Sequence, residues 1–276
     1  MHISDNEFYT LRDFIYSVCG IFFHINKKYF LESRIVRRMA VVGSLTPGNY
    51  IDFLKRGAQG KEELKHLLEE VTTNETCFFR NPAQLKAIES HFLPEIIKKK
   101  ERNCFKKLRI WSAGSSSGEE AYTIAMLIFE IRSTLLKDWS IEIIGTDINE
   151  RILAQAREGV YTLYSMRNTP EQFLRKYFTK NADQFTLLPE IKKYVNFINL
   201  NLYDDTKMVF MKTFDFIICA NVLIYFDISA KSKIVQHFHN NLQPYGYFLI
   251  GQSESLHGVN DKFKPIHFPG GFAYIK

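Results

Sequence analysis

Cysteine is scarce and scattered in this chain. The four thiols, Cys19, Cys77, Cys104 and Cys219, form no CxxC pair. That argues against a disulfide framework or a zinc cluster and for a reducing, cytoplasmic setting. No apolar run approaches the roughly 20 residues that cross a bilayer. The opening MHISDNEFYTLRDF lacks the charged-then-apolar order of a secretory signal, so no membrane insertion is expected. The eight histidines show neither HExxH nor HxxEH spacing, and no metal is expected. The net charge of +6 comes without a zinc finger or an aromatic-interleaved basic motif, so no nucleic acid is expected either.

What is present is a chain of 276 residues, 46% hydrophobic and 24% charged. It is long enough for one large domain or two small ones and apolar enough to bury a core. Much of the positive excess precedes residue 110. One cluster holds Lys27, Lys28, Arg34, Arg37 and Arg38; another holds Lys98, Lys99, Lys100, Arg102, Lys106 and Lys107. These read as solvated helix faces or as a docking surface for an acidic partner.

The periodicity divides the chain. Up to about residue 100 it is helical. Ser4 can cap a helix that turns Phe8, Leu11, Phe14, Ile15 and Val18 inward and stops at Gly20. Further helices are expected over Tyr29–Val42, from Pro47, over Lys61–Val71 and after Pro82, with KKKERNCFKK as a linker. From 108 the pattern alternates. LRIWSA, IEIIGT, VNFINL, FDFIIC and GYFLIG read as strands with helices between the first few and before the last, which predicts a doubly wound, mostly parallel α/β sheet. The final HFPGGFAYIK reads as a hairpin whose last strand inserts antiparallel. Residues 160–193 break the alternation and read as an inserted subdomain or lid.

Three groups fall where such a sheet binds ligands, at the carboxyl ends of its strands. The first is Gly114-Ser-Ser-Ser-Gly118-Glu119-Glu120. It is neither a Walker loop nor GxGxxG, and its two carboxylates would repel a pyrophosphate; a cofactor bearing an amino or sulfonium cation suits it better. It also reads as a Gly-rich turn whose acids complement a helix dipole. The second is Asp147, placed to accept the ribose hydroxyls of an adenosine cofactor or to cap the next helix. The third is Asn221 with Tyr225, beyond FDFIICA. Ahead of the sheet, NETCFFR at 74–80 presents Arg80 just before Pro82, a guanidinium fork suited to a carboxylate.

NETCFFR, RIWSAGSSSGEEAYTIAM, GTDINERILAQAREGVY, INLNL, FDFIICANVLIYFD and GQSESL, in that order, resemble the blocks of the chemotaxis receptor glutamate methyltransferases over nearly the whole chain. The resemblance implies an all-α domain and interdomain segment over 1–100. It implies a Rossmann-like domain over 101–276, with a small β-subdomain inserted at about 160–200. It implies S-adenosyl-L-methionine as cofactor, S-adenosyl-L-homocysteine as product, and methyl-accepting chemotaxis proteins as partners, through an acidic helical segment and a C-terminal tether peptide. Asn74, Thr76, Arg80, Gly114, Glu120, Asp147, Asn201, Leu202 and Asn221 would then hold the cofactor, with Arg80 and Tyr225 beside the methyl in transit. The family's usual Arg before Asn221 is Ala220 here. A related methyltransferase with another substrate, or a non-catalytic cofactor sensor, fits the same pattern.

Overall fold

A computed structural model describes residues 2–211 and 213–276. The N-terminal part packs four helices: α1 (Asp5–Cys19), α2 (Lys28–Val42), α3 (Pro47–Leu54) and α4 (Gly57–Val71). Helix α1 starts as its sequence dictates. Ser4 Oγ accepts the Glu7 N–H, and the Glu7 carboxylate accepts the Ser4 N–H at 2.8 Å, a reciprocal capping box. It ends at Gly20 in the left-handed region (φ 74°), where a Cβ would stand 2.7 Å from the Tyr203 ring. Phe8, Leu11 and Ile15 meet Leu31, Ile35, Met39, Tyr50 and Leu67 in one buried core. Each such side chain contributes about 1.5–3 kcal/mol. Phe14 and Val18, expected inside, are only half-buried at its margin.

The basic cluster of α2 is largely turned to internal use. Arg38 Nε donates to Glu63 at 2.9 Å, and Glu63 also accepts Tyr50 OH at 2.6 Å in the bundle interior. Arg34 donates to the Glu70 carbonyl at 2.8 Å while stacked on Phe30, and Arg37 pairs with Glu70. Removing Arg38 would leave a buried carboxylate without its cation. The guanidinium groups of this cluster thus tie α2 to α4, while the Arg37 side chain stays largely exposed.

After NETCFFR comes α5 (Pro82–Ala87), then one wide π turn over Ile88–Phe92, then α6 (Leu93–Arg102). Pro94 explains the widening, since its ring lacks an N–H and crowds the carbonyl four residues back. Lys98 to Arg102 are the last turns of α6, not linker; Leu93, Ile96 and Ile97 anchor that helix in the sheet's core.

The strands are β1 (Lys107–Ala113), β2 (Ser140–Asp147), β3 (Val160–Thr162), β4 (Phe178–Asn181), β5 (Gln184–Leu187), β6 (Val195–Asn199), β7 (Phe214–Cys219), β8 (Leu242–Ile250), β9 (Lys264–Phe268) and β10 (Gly271–Ile275). The main sheet runs β6-β2-β1-β7-β8-β10-β9. Its first five strands are parallel, and β10 lies antiparallel between β8 and β9. Helices α7 (Glu119–Ile131) and α8 (Glu150–Glu158) follow β1 and β2. The insertion forms a separate sheet of order β3-β5-β4. The chain leaves β1 towards β2 on one side, while β7 flanks β1 on the other. Such a reversal of strand order opens a crevice at the carboxyl ends.

Candidate functional site

A cavity of about 450 Å³ opens there. Its wall contains every expected site residue: Asn74, Thr76, Arg80, Gly114, Glu120, Asp147, Asn201, Leu202, Asn221 and Tyr225.

The loop after β1 builds the floor. Gly114 and Ser115 both donate their N–H to the Thr146 carbonyl at 2.8 Å, which turns the chain sharply. Gly114 has φ +75°, and a Cβ would lie 2.4 Å from Val222 Cγ2; only glycine fits both demands. Asp147 ends β2 and accepts the Ser116 N–H at 2.9 Å and the Asn149 N–H at 3.0 Å. Burial pushes its carboxyl up, against the pull of those N–H groups. The helix cap next door is Asn149, whose Oδ1 accepts the Ile152 N–H at 3.0 Å. Capping therefore does not explain Asp147, and its carboxylate faces the cavity.

The structure separates the two carboxylates that opened α7. Glu120 faces the cavity and accepts Ser112 Oγ at 2.7 Å. Glu119 turns away, buried, and accepts Ser117 Oγ at 2.6 Å and Ser165 Oγ at 2.9 Å. The wall thus carries one of these charges, not a pair. Burial raises Glu120 to about 7, with the Ser112 hydroxyl and the Arg80 charge pulling the other way.

Arg80 is held by an unusual backbone. Phe79 and Asn81 on either side lie at φ 53° and 61°, a conformation that stores strain in non-glycine residues. Pro82 then starts α5, and Arg80 Nη1 donates to the Glu75 carbonyl at 3.1 Å.

Beyond β7, Asn221 is also left-handed, at φ 62°. The fragment GQSESL explains how that turn is held. Buried Glu254 accepts three backbone N–H groups: Gly251 at 2.7 Å, Asn221 at 2.8 Å and Ile224 at 3.1 Å. Tyr225 closes a 3₁₀ turn there, and its carbonyl accepts the Phe22 N–H at 3.0 Å.

That last bond brings in a wall that sequence reasoning missed. Phe22, Phe23 and Lys27, between α1 and α2, and Phe30, in the first turn of α2, line the cavity. An isolated antiparallel bridge joins Ile21 to Phe226. Asn201 clamps the same wall by donating to the Val18 carbonyl at 2.7 Å, and its own Oδ1 accepts the Tyr203 N–H. Its amide is thus engaged within the chain, while Leu202 presents an apolar face.

Two buried polar atoms of wall residues, Ser115 Oγ and Asn221 Oδ1, have no partner among the described residues. A buried polar atom left unpaired costs about 1–3 kcal/mol, so both suit a polar ligand. With them stand the carboxylates of Asp147 and Glu120 and an apolar surface from Phe22, Phe23 and Leu202. The chemistry of that donor set fits an adenosine carrying a cationic amino-acid tail.

A mostly parallel sheet with this strand order and a crevice at its carboxyl ends defines a Rossmann-like α/β protein. Residues 6–72 match the profile of the CheR methyltransferase all-alpha domain, and residues 74–272 that of the CheR methyltransferase SAM-binding domain. Chemotaxis protein methyltransferase 2 of Vibrio cholerae is 34% identical over 99% of this chain and 94% of its own. The chemotaxis protein methyltransferase of Borreliella burgdorferi is 36% identical over 94% and 91%. Chemotaxis protein methyltransferase 1 of Pseudomonas aeruginosa is 32% identical over 99% of each. The chain belongs to the CheR methyltransferase family. It is an enzyme, and its cofactor is S-adenosyl-L-methionine.

Contact between Glu120 and the cation of that cofactor would make the affinity pH-dependent. The Glu120 pKa lies above the ordinary carboxyl value in the folded, ligand-free chain. That contribution to stability is present below the unfolded carboxyl pKa and fades as pH rises through about 7. A bound cation favours the ionised form, so affinity for S-adenosyl-L-methionine should rise with pH through the same window. At pH 6, binding should expel most of a proton, seen in calorimetry as a heat that changes with the buffer's ionisation enthalpy. Glu120→Gln should abolish that dependence and weaken binding by about 2 kcal/mol, roughly thirty-fold.

Proposed function

We propose that this chain transfers the methyl group of S-adenosyl-L-methionine to glutamate side chains in an acidic helical segment of chemoreceptors, in the cytoplasm, giving methyl esters and S-adenosyl-L-homocysteine. The observation that carries the reading is the cavity itself. It gathers residues from the helical part, the interdomain segment and the ends of four strands, β1, β2, β6 and β7, with Arg80 and Tyr225 on the same wall as Glu120 and Asn221. The helical domain is best bounded near residues 72–74, because Phe78 through Ile97 pack into the core of the sheet; the three-stranded insertion then lies within the second domain.

The cofactor supplies an electrophilic methyl on a sulfonium. Asp147 would hold the ribose hydroxyls, Glu120 and Asn221 the amino-acid tail, and Asn201 with Leu202 the adenine pocket; Asn74, Thr76 and Gly114 complete the wall. An acceptor glutamate is already ionised at neutral pH, its unperturbed pKa being about 4.3, so the chain need provide no general base. Arg80 orients the carboxylate with its fork, and Tyr225 confines the approach. Alignment is then the main source of acceleration.

Ala220 removes a cation that the family usually places in this wall. Restoring it with Ala220→Arg should tighten S-adenosyl-L-methionine binding by about tenfold, the worth of one charged hydrogen bond, read by calorimetry. The assignment itself is tested with methyl-tritiated cofactor and receptor-rich membranes. Label released as methanol by mild base supports it; base-stable label points to another acceptor.

A further inference from the structure

The inserted three-stranded unit sits against the cavity wall rather than apart from it. Three segments meet there in a closed ring. Ser116 Oγ of the glycine-rich loop donates to the Asn74 carbonyl at 2.8 Å. Ser117, in the same loop, is gripped from the insertion: its carbonyl accepts Tyr161 OH at 2.9 Å, and its hydroxyl donates to Glu119. Glu119 accepts Ser165 Oγ at 2.9 Å. The Ser165 carbonyl in turn accepts the Phe78 N–H at 2.9 Å, returning the ring to the interdomain segment. Phe78 lies edge-on between Tyr161 and Phe178, at 4.7 and 5.1 Å between ring centroids. Tyr164 OH adds a bond to Glu75 at 2.6 Å.

We infer that Glu119 and Ser165 are positioning residues for methyl transfer, clamping the Arg80 segment to the cofactor loop through the insertion. This rests on the methyltransferase reading above. The argument is mechanical. Phe79 and Asn81 hold left-handed backbone conformations, which persist only where surroundings over-determine them. Phe78 is wholly buried and fixed by the Ser165 carbonyl, and it adjoins Phe79, whose own N–H donates to Thr123 Oγ1 at 3.2 Å; the two anchors together hold the strained pair. Ser165 presents a hydroxyl to the helix after the loop and a carbonyl to Phe78, which makes one residue the hinge-pin of both. Glu119 bridges loop and insertion with its two oxygens. Both act on Arg80 without touching it.

The test uses the full chain, with Ser165→Ala, Glu119→Ala, the double variant, Glu119→Gln as the conservative replacement, and Lys180→Ala on the outer strand of the insertion as a control. Two readouts are taken. The first is hydrogen exchange of the amides in 74–80. The second is methyl transfer to a receptor cytoplasmic fragment at saturating cofactor, alongside calorimetric binding of S-adenosyl-L-methionine. The expected result is exchange about tenfold faster in 74–80 for either single variant. The rate kcat should fall by about tenfold while cofactor affinity changes less than about threefold. The double variant should lose no more than the worse single one, because both break one linkage, and Glu119→Gln should recover most of the loss. Unchanged exchange in 74–80, additive losses, or an equal effect of Lys180→Ala would overturn the inference. Ser165→Ala deletes one half-buried hydroxyl and keeps the carbonyl, so it remains decisive if Glu119→Ala does not fold. Exchange is read whether or not ester forms. Faster exchange without any ester in the unaltered chain counts for the clamp and against the proposed substrate.

Discussion

Arg80→Ala should lower kcat/KM for the acceptor by about 10²–10³-fold, or about 3–4 kcal/mol. That is the range expected when one partner of a desolvated charge pair is truncated. Arg80 and Lys27 bring the cations to a wall that also carries Glu120 and Asp147. Arg80 stands within the field of Glu120, whose pKa it lowers. Its loss should therefore act in two places. An incoming carboxylate loses its fork, and Glu120 loses a stabilising charge and moves further up in pKa. Arg80→Lys should recover little, because an ammonium keeps the charge but not the planar, two-pronged donor. Steady-state kinetics against acceptor concentration, at saturating cofactor, checks this. A variant within threefold of the unaltered enzyme would remove Arg80 from the reaction.

The second large effect belongs to Glu254, a residue that does not itself line the cavity but holds two residues that do. Its carboxylate accepts the N–H groups of Gly251, Asn221 and Ile224. Each bond to a charged acceptor is worth about 1.5–3 kcal/mol, and removing the acceptor strands the buried donors. Glu254→Ala should therefore destabilise the fold by about 3–5 kcal/mol, measured by denaturant unfolding. It should also abolish cofactor binding, because Asn221 and the Tyr225 turn lose the group that holds their left-handed entry. The site at Gly251 allows no substitute packing: a Cβ there would stand 2.8 Å from Glu254 Oε2 and 2.9 Å from the Asn221 nitrogen. Glu254→Gln keeps one acceptor oxygen and should cost less than half as much. Equal stability of Glu254→Ala and the unaltered chain would mean that the loop is held by something else.

These two residues show where sequence reading reaches and where it stops. Gly114, Asp147, Asn221 and Tyr225 were legible because a strand that ends in a turn or a polar residue is visible in the chain. In a parallel sheet those ends converge whatever lies between them. Arg80 was legible as a fork set before a proline. Glu254 had only its motif to recommend it; two of its three partners lie 30 and 33 residues away, and its local bond to Gly251 does not reveal them. The wall from Phe22 to Phe30 was hidden for the same reason on a larger scale, since Phe22 pairs with Tyr225, which lies far along the chain beyond β7. The ties of the basic cluster of α2 were hidden because a cation's partner is a tertiary fact: Arg38 finds Glu63 25 residues on. Likewise, Glu119 and Glu120 are neighbours in sequence, but successive helical positions diverge by about 100°, which sends one to the cavity and the other to the insertion.

The most direct test of the account is chemical. Purified chain, S-adenosyl-L-methionine and a receptor cytoplasmic fragment are incubated together, and the acceptor is digested and mapped by mass spectrometry before and after mild alkali. The account predicts a methyl on glutamate side chains of an acidic helical segment, lost as methanol on alkaline treatment. A methyl on lysine or arginine that survives alkali, or no methyl at all despite measured cofactor binding, would contradict it.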